Sequence, residues 1–141
     1  VDEDVVRITA ANRVRKSQGS KPAPIINGTP SIPVLSIHTT GDLFVPIEME
    51  QIYAREVIDN GLGDLLVQRA IRDVGHCTFT GPEWERSYTD LFNWVETGVK
   101  PAGEDLVNRI SADELGCDFT VTPGGDDGSS GFRFALAPCP T

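Results

Sequence analysis

The chain has no apolar run approaching the ~20 residues that a membrane helix needs, so no helical membrane span is expected. Basic residues are scarce: 12 Lys and Arg stand against 21 Asp and Glu, a net charge of -9. Phosphate binding requires Lys and Arg to release counterions, so no nucleic-acid partner is expected. The chain begins at Val1 with neither an initiator Met nor the basic and apolar regions of a signal peptide, and its start is expected to be processed, trimmed or cut. No internal repeat is present, and no low-complexity segment beyond one glycine-rich turn. What remains is ordinary for a folded chain: 39% hydrophobic and 23% charged residues in 141, enough for one core with an appendage.

Cysteine is sparse too, with Cys77, Cys117 and Cys139 only. The last two flank one C-terminal segment, which suits a local disulfide and an oxidising, extracytoplasmic compartment; the alternative is three reduced, buried thiols. Cys77 is left over.

Asp4 can cap a helix over residues 5–16, with Val6, Ala10 and Val14 on one face. Residues 17–33, rich in Gly, Ser, Pro and Asn, read as an extended loop. Val34-Leu35-Ser36-Ile37-His38-Thr39-Thr40 is β-branched and apolar on both faces, as in a central strand of a parallel sheet, and Gly41-Asp42 ends it. A helix is expected from Val45-Pro46 to Asn60-Gly61, with Met49, Ile52, Tyr53 and Val57 as its buried stripe. A second strand, residues 65–71, leads to Gly75-His76. Thr80 and Glu83 form a capping-box pattern before a helix whose Trp84, Tyr88, Leu91, Phe92 and Val95 are expected to pack in the core, with Gly98 as its stop. Strand, helix, strand, helix in this order predicts an α/β fold, part of a doubly wound parallel sheet. The domains are expected as a core over 1–101 and an appendage over 102–141. The appendage holds at most one short helix before residue 115, then a β-hairpin whose arms carry Phe119 and Val121, and Phe132, Phe134 and Leu136. Cys117 and Cys139 lie near its open ends, where a bridge contributes about 3 kcal/mol.

The chemistry gathers at the two strand ends. A side chain at the carboxyl end of a parallel strand projects into the crevice where ligands of α/β sheets bind. Asp42 alone reads as turn chemistry, and His76 alone as a structural histidine. Together they gain meaning, because a carboxylate can hold one imidazole nitrogen and leave the other free to take a proton from a nucleophile. His38, Asp42, His76 and Cys77 are of types that suit zinc, but no close-spaced ligand pair is present and no metal is expected. Asp126 and Asp127 lack an EF-hand pattern and read as a solvated turn. No cofactor is expected.

Ile32-Pro33-Val34-Leu35-Ser36-Ile37-His38-Thr39-Thr40-Gly41-Asp42 with Val45-Pro46, then Gly75-His76-Cys77-Thr78-Phe79 and the helix through Trp94, resemble the last third of the α/β-hydrolase superfamily, in its secreted, esterase-like members. The resemblance covers roughly residues 31–101 and implies that Asp42 is the triad acid and His76 the general base. The G-x-S-x-G elbow that should precede the acid is absent: Ser17, Ser20, Ser31 and Ser36 lack it, and Gly128-Ser129-Ser130-Gly131 comes too late. The oxyanion-hole segment is missing as well. The expectation is therefore the C-terminal part of a carboxylic ester hydrolase, inactive alone, whose partner is the missing N-terminal part or a second copy of the chain. Secreted members that resemble tannases and feruloyl esterases link the residue after the histidine to the one before the serine. That implies a disulfide from Cys77 to the missing part; the other reading is a buried thiol. The competing function is a non-catalytic binding or structural domain in which Asp42 and His76 are incidental and the stapled hairpin presents a surface.

Overall fold

A computed structural model describes residues 26–121, 132–133 and 136–140. The expected helix over residues 5–16 and the glycine turn of the expected hairpin, with Phe134, lie outside them. The described order is β1 (Val34–Thr39), α1 (Glu48–Asp59), a 3-10 turn (Gly63–Leu65), β2 (Leu66–Ile71) and α2 (Gly81–Thr97). The strand, helix, strand, helix order is the expected one.

β1 and β2 pair in parallel, with Val34 opposite Leu66 and Thr39 opposite Ile71. Parallel neighbours need a crossover, and α1 supplies it. Because successive strand residues point to opposite faces, the two strands share their side chains between two layers. On one face Val34 and Leu66 pack with Ala54 and Val57 of α1. Ser36 and Gln68 on that face both donate to the Glu50 carboxylate at 2.5 Å. On the other face Leu35 and Ile37 form a groove with Trp84, Tyr88 and Leu91 of α2. Arg69 reaches Asp90 of α2 there, at 2.6 Å. One helix on each face of a parallel sheet makes the layering α/β.

β2 is buried along its whole length and β1 only at Thr39. The chain that follows α2 runs back along the outer edge of β2 and replaces a strand with side-chain and loop contacts. The Glu104 amide donates to the Gln68 carbonyl at 2.8 Å. The Glu104 carboxylate accepts from the Ala70 amide at 2.7 Å, and the Thr120 hydroxyl from the Arg72 amide at 2.7 Å. Leu106 and Leu115 close over Ala70. Among the described residues no strand pairs with the other edge of β1.

Several expectations are corrected. In its described flanks 117–121 and 132–133 the appendage does not form the arms of a hairpin. Its amides turn back on nearby carbonyls, Cys117 to Glu114 and Thr120 to Gly116. Phe119 is drawn inward against Ile71 and Phe79, beneath the Arg69 guanidinium. The disulfide Cys117–Cys139 is formed as expected. Val57 and Tyr53 of α1 meet the core as expected, but most of the remaining residues of the two expected stripes turn outward. In α1 the buried residues are Gln51, Ala54 and Val57, while Met49 is 55% exposed and Ile52 lies largely open. In α2 they are Glu83, Ser87 and Trp94, while Tyr88, Phe92 and Val95 are exposed and Trp84 is only partly covered. The polar residues turn inward because they have partners there: Gln51 donates to the Leu106 carbonyl at 2.6 Å, and Glu83 meets Arg133. The ends of α2, by contrast, are where they were expected, while α1 starts at Glu48 rather than at Val45-Pro46. Thr80 and Glu83 complete a reciprocal capping box, and Gly98 ends α2 in a left-handed conformation with its amide on the Trp94 carbonyl.

Candidate active site

The β1–β2 ladder continues past both strands and brings their loops side by side. The Thr40 amide donates to the Ile71 carbonyl at 2.9 Å, and the Gly41 amide to the Asp73 carbonyl at 2.8 Å. Glycine is required at position 41 by close approach: a Cβ there would lie 2.9 Å from the Val74 Cα. Contact this tight between the acid loop and the histidine loop places the two candidate side chains within reach.

His76 Nδ1 lies 2.6 Å from Asp42 Oδ2. The other carboxylate oxygen, Oδ1, accepts from the amides of Phe44 and Val45 at 2.8 and 3.0 Å. The turn reading and the site reading of Asp42 are thus both met, one by each oxygen. The Asp42 side chain is 4% exposed and that of His76 is 46% exposed. Burial pushes the Asp42 carboxyl upward, but the Val45 amide, the His76 ring and the Phe44 amide outweigh it and lower its pKa from 3.8 to about 2. An ionised Asp42 accepts a proton-bearing Nδ1, which fixes the tautomer and turns the Nε2 lone pair outward. Nε2 has Cys77 Sγ at 3.7 Å, and Phe44 meets the imidazole edge to face at a centroid distance of 5.7 Å. Leu43 and Phe44 themselves stand in solvent beside the pair.

The histidine loop is held from below. Asp73 is fully buried, and its Oδ1 accepts from the amides of Val74 and Gly75 at 2.6 and 3.3 Å. Thr39 at the end of β1 donates to the Gly75 carbonyl at 2.6 Å. Cys77 takes a left-handed backbone, φ 55°. It is exposed and free, so the buried-thiol reading is corrected: the positive-φ turn after His76 lifts its side chain toward solvent beside the ring.

The remaining expected residues fall elsewhere. His38 lies inside β1 with Nδ1 donating to the Thr39 carbonyl at 2.8 Å, apart from the Asp42–His76 pair. Among the described residues no three His, Cys, Asp or Glu side chains gather as a metal would require. Ser36 is engaged with Glu50, and among the described residues no serine hydroxyl bonds His76 Nε2. Sequence reasoning missed Asp73, Glu83 and Arg133 as supports of the site. In the sequence Glu83 shows its capping role alone, and Arg133, between Phe132 and Phe134, carries no local signal of burial.

The chain is 27% identical over 117 residues to an o-phthalyl amidase of Xanthobacter agilis. That alignment takes in 79% of this chain and 26% of the relative, so the chain spans about a quarter of the length of the curated protein it matches. No protein-family model matches the chain, and no solved structure matches it either.

Proposed function

We propose that Asp42 and His76 are the acid and the general base of a Ser-His-Asp acyl hydrolase, acting on a carboxylic ester, with the serine supplied by polypeptide outside this chain. The observation that carries the reading is the 2.6 Å Nδ1–Oδ2 pair, whose acid is anchored by two further amides while the ring stays open to solvent. In that arrangement Nε2 takes the serine proton as the hydroxyl attacks the acyl carbon, then returns it to the leaving group; water repeats the sequence on the acyl-enzyme. Asp42 stays ionised throughout and stabilises the imidazolium. The amidase name of the relative extends the bond to amides, which pass through the same tetrahedral intermediate and need the same acid for a poorer leaving group. Leu43 and Phe44, exposed beside the pair, are the described apolar residues placed to meet an acyl or leaving group.

The chain is the C-terminal portion of a doubly wound α/β-hydrolase sheet in this reading, and the partner is the preceding portion or a second copy. Two features support it: among the described residues no strand pairs with the outer edge of β1, and α2 has an exposed apolar face, both of which a further strand and helix would cover. The disulfide favours an extracytoplasmic setting, where such bridges persist. Among the described residues no helix is long and apolar enough to cross a membrane.

The test uses a polypeptide carrying this chain together with a serine-elbow sequence, assayed on p-nitrophenyl esters and anilides. Asp42→Asn is expected to lower kcat about 10⁴-fold by favouring the wrong tautomer, with little change in KM. His76→Ala is expected to be at least as damaging. The chain by itself is expected to turn over neither substrate. Retention of activity in both variants would sink the assignment.

A further inference from the structure

We infer that the C-terminal segment is part of the acid–base machinery, with Arg133 as a positioning residue that holds the histidine loop in register with the acid loop. This rests on the reading of Asp42 and His76 as the working pair. The side chain of Arg133 is 4% exposed and spends its donors on three points of one loop and its following helix. Nε donates to Asp73 Oδ2 at 2.9 Å, and Nη2 to the Thr78 carbonyl at 2.9 Å. Nη1 and Nη2 reach the two oxygens of Glu83 at 2.7 and 3.2 Å, and Nη1 also donates to the Val121 carbonyl at 3.0 Å.

The anchor points straddle His76. Asp73 precedes it by three residues and Thr78 follows it by two, so one guanidinium pins both feet of the loop that presents the imidazole. Asp73 is the hinge of the arrangement. Its Oδ2 meets Arg133, its Oδ1 orders the amides of Val74 and Gly75, and its carbonyl accepts from Gly41, the residue before Asp42. A displaced Asp73 would therefore move the donor and the acceptor of the 2.6 Å pair relative to each other. A planar fork with five fixed donors suits this task as an ammonium would not. The segment that carries Arg133 is in turn stapled by Cys117–Cys139 to the stretch docked on β2.

The chain holds two histidines, so imidazole NMR reads the pair with a built-in control. In the 141-residue chain at neutral pH, His76 is expected to show a protected Nδ1–H on Asp42, and His38 a signal of its own on the Thr39 carbonyl. In Arg133→Gln the His76 proton signal is expected to be lost to exchange while His38 is unchanged. Unchanged signals from both rings would overturn the inference. If Arg133→Gln loses both signals through unfolding, the variant combining it with Glu83→Gln, which removes one unpaired buried charge and leaves Asp73 unchanged, takes its place. In that variant selective loss of the His76 proton supports the inference, and retention of both signals or loss of both overturns it. Because the readout needs no turnover, a chain that fails the hydrolysis test leaves this result standing on its own, and the converse holds too.

Discussion

At the scale of single residues the site depends on carboxylates that answer to two partners at once. Asp42 divides its oxygens between a turn and an imidazole, and Asp73 divides its own between a loop and a guanidinium. Such groups are costly to bury unless every lone pair is met, so the loops that supply the amides are as constrained as the side chains. The sign of the Asp42 shift sets its pH behaviour. Its folded pKa of about 2 lies below the ordinary 3.8, so its contribution to stability is fully present above 3.8 and is lost as pH falls toward 2. Urea unfolding of the parent chain and of Asp42→Asn from pH 7 to pH 2 should show a gap that persists down to about pH 4 and narrows below it. A gap that closes between pH 6 and pH 5 would contradict the shift. Asp42 and His76 were legible in the sequence because a strand followed by a small-residue loop ends at a defined place, and a side chain there faces the sheet's crevice. Arg133 was not, because its partner Asp73 is 60 positions away and no local pattern reports a contact of that range.

At the scale of elements, termini and faces behave differently. The capping box at Thr80 and Glu83 and the left-handed Gly98 are local chemistry, decided within four residues, and both ends of α2 lie where the sequence placed them. The buried faces are decided by what lies opposite. Glu83 shows the difference within one side chain, since it closes the cap on Thr80 and also receives Arg133. Replacing Thr80 with Ala is expected to cost about 1 kcal/mol, the usual value of an N-cap. Replacing Glu83 with Ala is expected to cost roughly 3–5 kcal/mol, because it leaves a buried guanidinium short of a counter-charge. Denaturant midpoints compared at equal m-value measure both; equal losses would mean that the ion pair adds nothing to the cap.

At the scale of the whole molecule, the two edges of the described sheet differ. β2 is sheathed by the chain that returns along it, whereas among the described residues no strand pairs with the other edge of β1, and α2 bears Tyr88, Phe92 and Val95 exposed. Phe92 alone is 69% exposed. Exposed apolar side chains of this kind on one helix favour association over a dispersed monomer. Sedimentation of the isolated chain is expected to show self-association, and Tyr88→Glu with Phe92→Glu is expected to shift it toward monomer. A parent chain that sediments as a monomer and melts cooperatively would count against that.

The sequence by itself determined the element order, the ends of α2, the pairing of Cys117 with Cys139 and the two residues that meet at the strand ends. These follow from short-range rules: side-chain periodicity, capping chemistry, and the crevice at the ends of parallel strands. Only the tertiary structure decided which helix faces are buried, that the appendage folds as turns rather than as a hairpin in its described flanks, and that Arg133 reaches back to brace the histidine loop. The physical reason is common to all three. Burial of a polar group is favourable only when a distant partner arrives to meet it, and the arrival is a property of the folded chain, not of any stretch within it.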